Sequence, residues 1–225
     1  MAFPPYTGLG GKISHYSFLI FCACVFLFLI APILVIIPLS FNAEPYFTFT
    51  EGMMALDKEA YSVRWYKDIV TNPQWIFSAK NSIFVATFST LIATVLGTLA
   101  ALGLSQSHMP YRPLVMGVLI SPMIVPLIIS AAGMFFFYSK IGLSQTMPGL
   151  ILAHAVLGTP FVVITVTATL AGFDHSLTKA AQSLGSGTSR TFFKIQMPLI
   201  LPGVVSGALF AFITSFDEVV VVFFL

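Results

Sequence analysis

The chain is 225 residues long, only 8% of them charged, with a mean hydropathy of +0.96. A soluble domain carries about 25% charged residues, so this composition cannot furnish an aqueous surface and the chain reads as an integral membrane protein. A net charge of +2 with no basic run excludes nucleic acid as a partner.

Five segments hold the roughly 20 mostly apolar residues that a transmembrane helix needs. They are 17–41, 82–104, 114–138, 147–172 and 201–225, which predicts an all-α, polytopic helical bundle. None contains Lys or Arg, and Asp217 and Glu218 are the only acids within them. No small-residue cleavage site follows the first run, which reads as an uncleaved span. Cys22 and Cys24 lie in that run, two apart and so on different helix faces. They read as small lipid- or core-facing residues rather than a metal site or a disulfide. Pro32, Pro38, Pro122, Pro126 and Pro160 fall within the spans. In a bundle, neighbouring helices satisfy the carbonyls that proline frees, so these residues are local kinks or bends that shape a pathway. The last run, Val219 to Leu225, has no cap, breaker or flanking charge, and a sixth span is expected beyond it.

Between the first two spans, residues 42–79 carry Trp65, Tyr66 and Trp75, amphipathic aromatics of the kind that sit at a membrane interface. Short interfacial helices leading into the second span are expected there. The basic residues do not orient the chain. Lys12, Arg112, Lys179, Arg190 and Lys194 lie on one side, and Lys58, Arg64, Lys67, Lys80 and Lys140 on the other, a tie at five each.

The stretch 179–203 differs from the rest. Ala180, Ala181 and Leu184 form a small apolar face at helical spacing, Gly185 and Gly187 signal a helix stop, and Thr188 or Ser189 is placed to cap a second helix bearing Phe192, Phe193 and Ile195. Pro198 and Pro202 are expected to end that helix and open the fifth span. A helix-turn-helix DNA reader shares this pattern but needs a basic recognition face. A phosphate loop needs a Gly-Lys-Ser/Thr ending after a strand, and neither is present. The remaining reading is a docking element for a cytosolic partner, its small residues permitting close approach.

Ala180-Ala181, then Gly185, Ile195 and Met197-Pro198 closely resemble, in identity and spacing, the EAA loop of the permease subunits of binding-protein-dependent ABC importers. Lys179 stands where Glu is usual and Met197 where Leu is usual. Further likeness lies in Pro38-Leu39-Ser40-Phe41, Ser62-Val63-Arg64-Trp65-Tyr66, Asn81-Ser82, His154 with Pro160-Phe161-Val162-Val163, and the run from Ala211 to Glu218. Together these are similar to the second permease of the spermidine/putrescine importers, although iron and thiamine permeases share much of the pattern.

The resemblance implies a type I ABC importer permease fold, with 1–225 a single transmembrane domain, 42–79 periplasmic and 173–199 a cytoplasmic coupling loop. Lys179, Ala180, Ala181, Gly185, Ile195, Met197 and Pro198 would then couple to an ATPase, and the N-terminus would lie inside. Implied partners are cytosolic ATPase subunits, a second similar permease, a periplasmic substrate-binding protein and the lipid bilayer of a bacterial inner membrane. The implied function is a channel subunit that moves a polyamine or similar organic cation inward by alternating access. ATP hydrolysis would belong to the partners, with no catalytic residue, cofactor or metal on this chain. An ion-coupled secondary transporter is the rival, but it needs acids near the midplane of several spans and an internal repeat.

Asp217 and Glu218 are the candidate substrate-pathway residues. In a helix starting at Pro202, Asp217 stands about 22 Å along the axis, roughly two-thirds across a hydrocarbon core of about 30 Å. Adjacent helical residues diverge by about 100°, so only one of the pair faces a pathway, and Asp217 is the first choice. The other reading places both at a helix end near the headgroups. His15, His108, His154 and His175 are scattered; His154 alone lies in a span and reads as hydrogen-bonded packing rather than a proton relay.

Overall fold

The computed structural model describes residues 8–106 and 108–225; the side chain of His175 lies outside that description. Among the described residues every regular element is helical, apart from a single antiparallel bridge between Asn42 and Tyr61. The chain divides into two packed units, one ending at Ile76 and one running from Phe77 to Leu225.

In the first unit, α1 (Leu9–Leu39) carries Lys12 and His15 in its first two turns and is apolar on every side beyond them, and Leu39 is its only buried residue. A helix apolar on every side needs a nonaqueous environment all round, which a lipid bilayer supplies. The segment after it folds around Asn42, which is fully buried. The Asn42 amide donates to the carbonyls of Tyr46 and Thr48 and accepts from the Glu44 N–H, while its backbone carbonyl accepts from the Trp65 indole at 2.8 Å. These bonds order the short helices α2 (Glu51–Met54) and α3 (Arg64–Thr71), with a 3-10 turn at Lys58–Ala60 between them.

The expected start of the second span at residue 82 is corrected. α4 runs Pro73–Leu104, because Asn72 accepts from the Gln74 N–H at 3.0 Å and Pro73 follows it, an Asn-Pro helix start. The third expected span is two helices, α5 (Arg112–Ile124) and α6 (Leu127–Ile141), bent by 102° at the intervening residues. Val125 and Pro126 are extended there, and Pro126 has no N–H with which to continue the ladder. Pro122 and Pro160, by contrast, sit inside helices.

α7 (Met147–Ala171) is the central element, buried along much of its length. It packs against α10 (Met197–Asp217), with Ala93 and Ala101 of α4 joining Val162, Val166, Leu170, Ile200, Val204 and Ala211 in one core cluster. Gly203, Gly207 and Ala211 recur every four residues on α10 and let the two backbones approach closely, as small residues do between membrane helices. Among the described residues, four helical segments are long and apolar enough to cross a membrane, and the bent α5–α6 pair makes a fifth if it counts as one span.

Two further expectations about the fifth span are corrected. Pro198 and Pro202 do not end a helix: residues Thr188–Asp217 form one continuous helical segment. Within it, α9 (Thr188–Thr191) passes through a π-helical turn, Phe192–Gln196, into α10. The Met197 N–H bonds to the Phe192 carbonyl five residues back, and Pro198, at the first turn of α10, needs no N–H partner. Nor is the span continuous to Leu225. Glu218 is extended, and the chain resumes as the short helix α11 (Val220–Phe224).

Candidate functional site

Two features of the second unit carry the residues singled out by sequence. The first is the turn after α8 (His175–Ser183). Asp174 caps the start of α8 by accepting from the Ser176 N–H. At its end Gly185 takes a left-handed φ of +84°. The Ser186 N–H bonds to the Ala181 carbonyl at 3.0 Å and the Gly185 N–H to the Gln182 carbonyl at 2.9 Å. This pair of bonds is the Schellman closure, and glycine enters it without a Cβ penalty. The cap of the next helix is Gly187, which has no side-chain cap bond, rather than Thr188 or Ser189. The Gln196 amide donates to the Thr178 hydroxyl at 3.3 Å, tying the π turn back to α8.

The apolar face expected of Ala180, Ala181 and Leu184 does not form. Adjacent helical residues diverge, and Ala181 turns inward to 8% exposure while Ala180 stays exposed. Leu184, at the C-cap, projects outward at 89% exposure. Lys179, Gly185 and Pro198 are exposed, Ile195 and Met197 half-buried, and Met197 packs against the core cluster. Lys179, Ala180, Leu184, Gly185 and Pro198 are therefore the exposed members of this motif.

The second feature is a cavity of about 190 Å³ where α4, α7, α10 and α11 meet. Asn81 and Ser82 from α4, Met147, Leu150 and His154 from α7, Ser215 from α10 and Glu218 from the break line it. The break after Asp217 decides which acid faces inward. Glu218 lines the cavity, and one of its carboxylate oxygens accepts from the Val221 N–H at 2.9 Å. Asp217 is exposed at the last position of α10 and does not line the cavity. Behind Glu218, the His154 Nδ1 lies 2.8 Å from the Ser215 hydroxyl, which lies 2.9 Å from the Ser89 hydroxyl, so one hydrogen-bonded chain joins α7, α10 and α4. Ser89 and Ser215 escaped the sequence reading because isolated serines in apolar runs carry no periodic signal.

Residues 93–225 match the family described as binding-protein-dependent transport system inner membrane component. The chain belongs to that family. The matched region of this inner membrane component contains both the turn at Gly185 and the cavity acid Glu218. It is 33% identical over 201 residues to the spermidine/putrescine transport system permease protein PotC of Haemophilus influenzae, covering 89% of this chain and 75% of that one. It is 28% identical over 206 residues to the putrescine transport system permease protein PotI of Escherichia coli, covering 88% of this chain and 70% of that one. Among solved structures it superposes with a TM-score of 0.69 on a chain of a bacterial ABC transporter involved in the import of the acidic polysaccharide alginate. That match covers 94% of this chain and 74% of the other at 17% identity, and shows the shared permease fold. The protein is thus a multi-pass inner membrane permease, a membrane channel subunit of an importer.

Proposed function

We propose that this permease moves a polyamine or a similar organic cation from the periplasm to the cytoplasm. The observation that carries the reading is Glu218, a carboxylate on the wall of a partly open cavity otherwise lined by neutral polar and apolar groups. An acid within a membrane domain is costly unless it faces protein, water or a cation, and this one faces a cavity. The relatives that match over most of the chain are permeases of spermidine/putrescine and putrescine transport systems, which supports the same substrate class.

In this account ATP hydrolysis resides on cytosolic ATPase subunits, which dock on the exposed surface of the turn around Lys179, Ala180, Leu184 and Gly185. A second similar permease completes the pore, and a periplasmic binding protein delivers substrate beside residues 42–79. Ala181 acts from inside, fixing α8 against its own chain, and Ile195, Met197 and Pro198 carry motion from the turn into α10. The test is uptake of radiolabelled putrescine and spermidine into proteoliposomes that hold the assembled transporter, with the binding protein outside and ATP inside. Saturable, ATP-dependent uptake of either amine is expected; none for either overturns the substrate assignment.

A further inference from the structure

A side chain on the wall of the cavity beside Glu218 carries a buried polar atom with no partner. His154 is 3% exposed, and its Nε2 has neither a hydrogen bond nor solvent contact. Buried polar atoms in folded proteins are almost always paired, and an unpaired one calls for a ligand or water to complete it.

The protons in the chain behind His154 decide what Nε2 offers. The Ser89 hydroxyl donates to the Ala86 carbonyl at 3.2 Å. Each hydroxyl has one hydrogen to give, so if Ser89 donates to Ala86, Ser215 donates to Ser89 across the 2.9 Å contact and accepts from the His154 Nδ1–H across the 2.8 Å one. A neutral imidazole protonated at Nδ1 presents a lone pair at Nε2. The opposite order, from Ser89 through Ser215 to Nδ1, fits the same distances and would put the hydrogen on Nε2.

Glu218 supplies a second acceptor and a negative charge in the same cavity, with the Ser82 hydroxyl and the Asn81 amide also on its wall. The carboxylate's negative charge fits a cation, and the site's acceptors suit one that brings its own N–H groups. Its volume of about 190 Å³ is below the roughly 300–1,000 Å³ of pockets that enclose a whole small ligand. It suits one end of an extended molecule.

We propose that the chain runs from His154 through Ser215 to Ser89, and that His154 is a specificity residue: its Nε2 lone pair and the Glu218 carboxylate together receive a primary ammonium end, so that the permease favours an N–H-bearing cation over a quaternary one. This deepens the polyamine reading and rests on it.

The experiment compares uptake of putrescine with uptake of its bis-N,N,N-trimethyl derivative, quaternary at both ends, by the assembled transporter in proteoliposomes. Both trimethyl ends keep their charge and lose every N–H. Both substrates are measured in each variant, so a general loss of assembly cancels from the ratio of their kcat/KM values. The unaltered transporter is expected to favour putrescine about tenfold or more, as befits a hydrogen bond to a charged donor. His154→Leu, which removes the lone pair, should bring the ratio below about threefold. Ser215→Ala is the gentler variant: it keeps the ring but releases the tautomer, and the ratio should again fall. An unchanged ratio in either variant overturns the role of His154 while leaving polyamine transport standing. Failure of the unaltered transporter to move putrescine overturns the substrate reading itself, and the inference with it.

Discussion

A Cβ built on Gly207 of α10 would stand 2.7 Å from the Cα of Val162 on α7. Backbone cannot yield as a flexible side chain can, so the α7–α10 contact depends on glycine at this position. A Cβ on Gly203, one turn earlier, would meet the Thr169 side chain, its Cβ at 2.9 Å, and the Thr165 carbonyl oxygen at 3.0 Å. Gly207→Leu should therefore separate the central helix pair, costing about 1–3 kcal/mol as overpacking does. The check is the thermal midpoint of the detergent-solubilised complex, with Gly133→Ala on α6 as control. A Cβ on Gly133 meets nothing within 4 Å, so that variant should match or exceed the unaltered complex. An unshifted midpoint for Gly207→Leu would contradict the close packing.

Gly185 separates the demands of the fold from those of a partner. Its φ of +84° suits Gly first and Asn or Asp next, and a Cβ there meets nothing within 4 Å of its own chain. Gly185→Asp thus costs about 1–2 kcal/mol of backbone strain but clashes with nothing in the permease's own chain. The coupling account predicts that the complex assembles in normal amount, yet ATP-driven uptake falls at least tenfold because the new carboxylate meets the docked ATPase. Normal uptake by this variant would remove Gly185 from the coupling surface.

Much of the fold was legible because lipid demands long apolar runs, and length alone marks them. The turn at Gly185 was legible for a local reason: only glycine enters that closure freely. What escaped were features set by tertiary context. Pro122, Pro126 and Pro160 look alike in sequence, yet only Pro126 coincides with a break, since packing decides whether a freed carbonyl finds a partner. Pro198 was read as a stop, but the π turn ahead of it leaves the helix unbroken. Between Asp217 and Glu218, a continuous helix favours neither, and the break after Asp217 is what puts Glu218 on the cavity wall and leaves Asp217 exposed. The extended backbone at Glu218 redirects its side chain. The repeat of Gly203, Gly207 and Ala211 was present as a signal, and its spacing of four foretells the contact with α7.

Sidedness is open to a direct chemical test. With Cys22 and Cys24 replaced by Ala, single cysteines are placed at Thr50, in the segment after α1, and at Leu184, which is 89% exposed. A membrane-impermeant maleimide applied to intact cells should modify Thr50→Cys and spare Leu184→Cys until the membrane is opened. The reverse pattern would invert the proposed topology.

The central claim is that Glu218 is the negative station for a cationic substrate, and one comparison tests it most directly. Initial rates of ATP-driven putrescine uptake are measured in proteoliposomes for the unaltered transporter, Glu218→Gln and Asp217→Asn, each with intact binding protein. Glu218 lines the cavity and Asp217 does not. The account therefore predicts a loss of at least tenfold, about 1.4 kcal/mol or more, for Glu218→Gln, and a clearly smaller effect for Asp217→Asn. Uptake unchanged in Glu218→Gln, with ATP coupling intact, would contradict it.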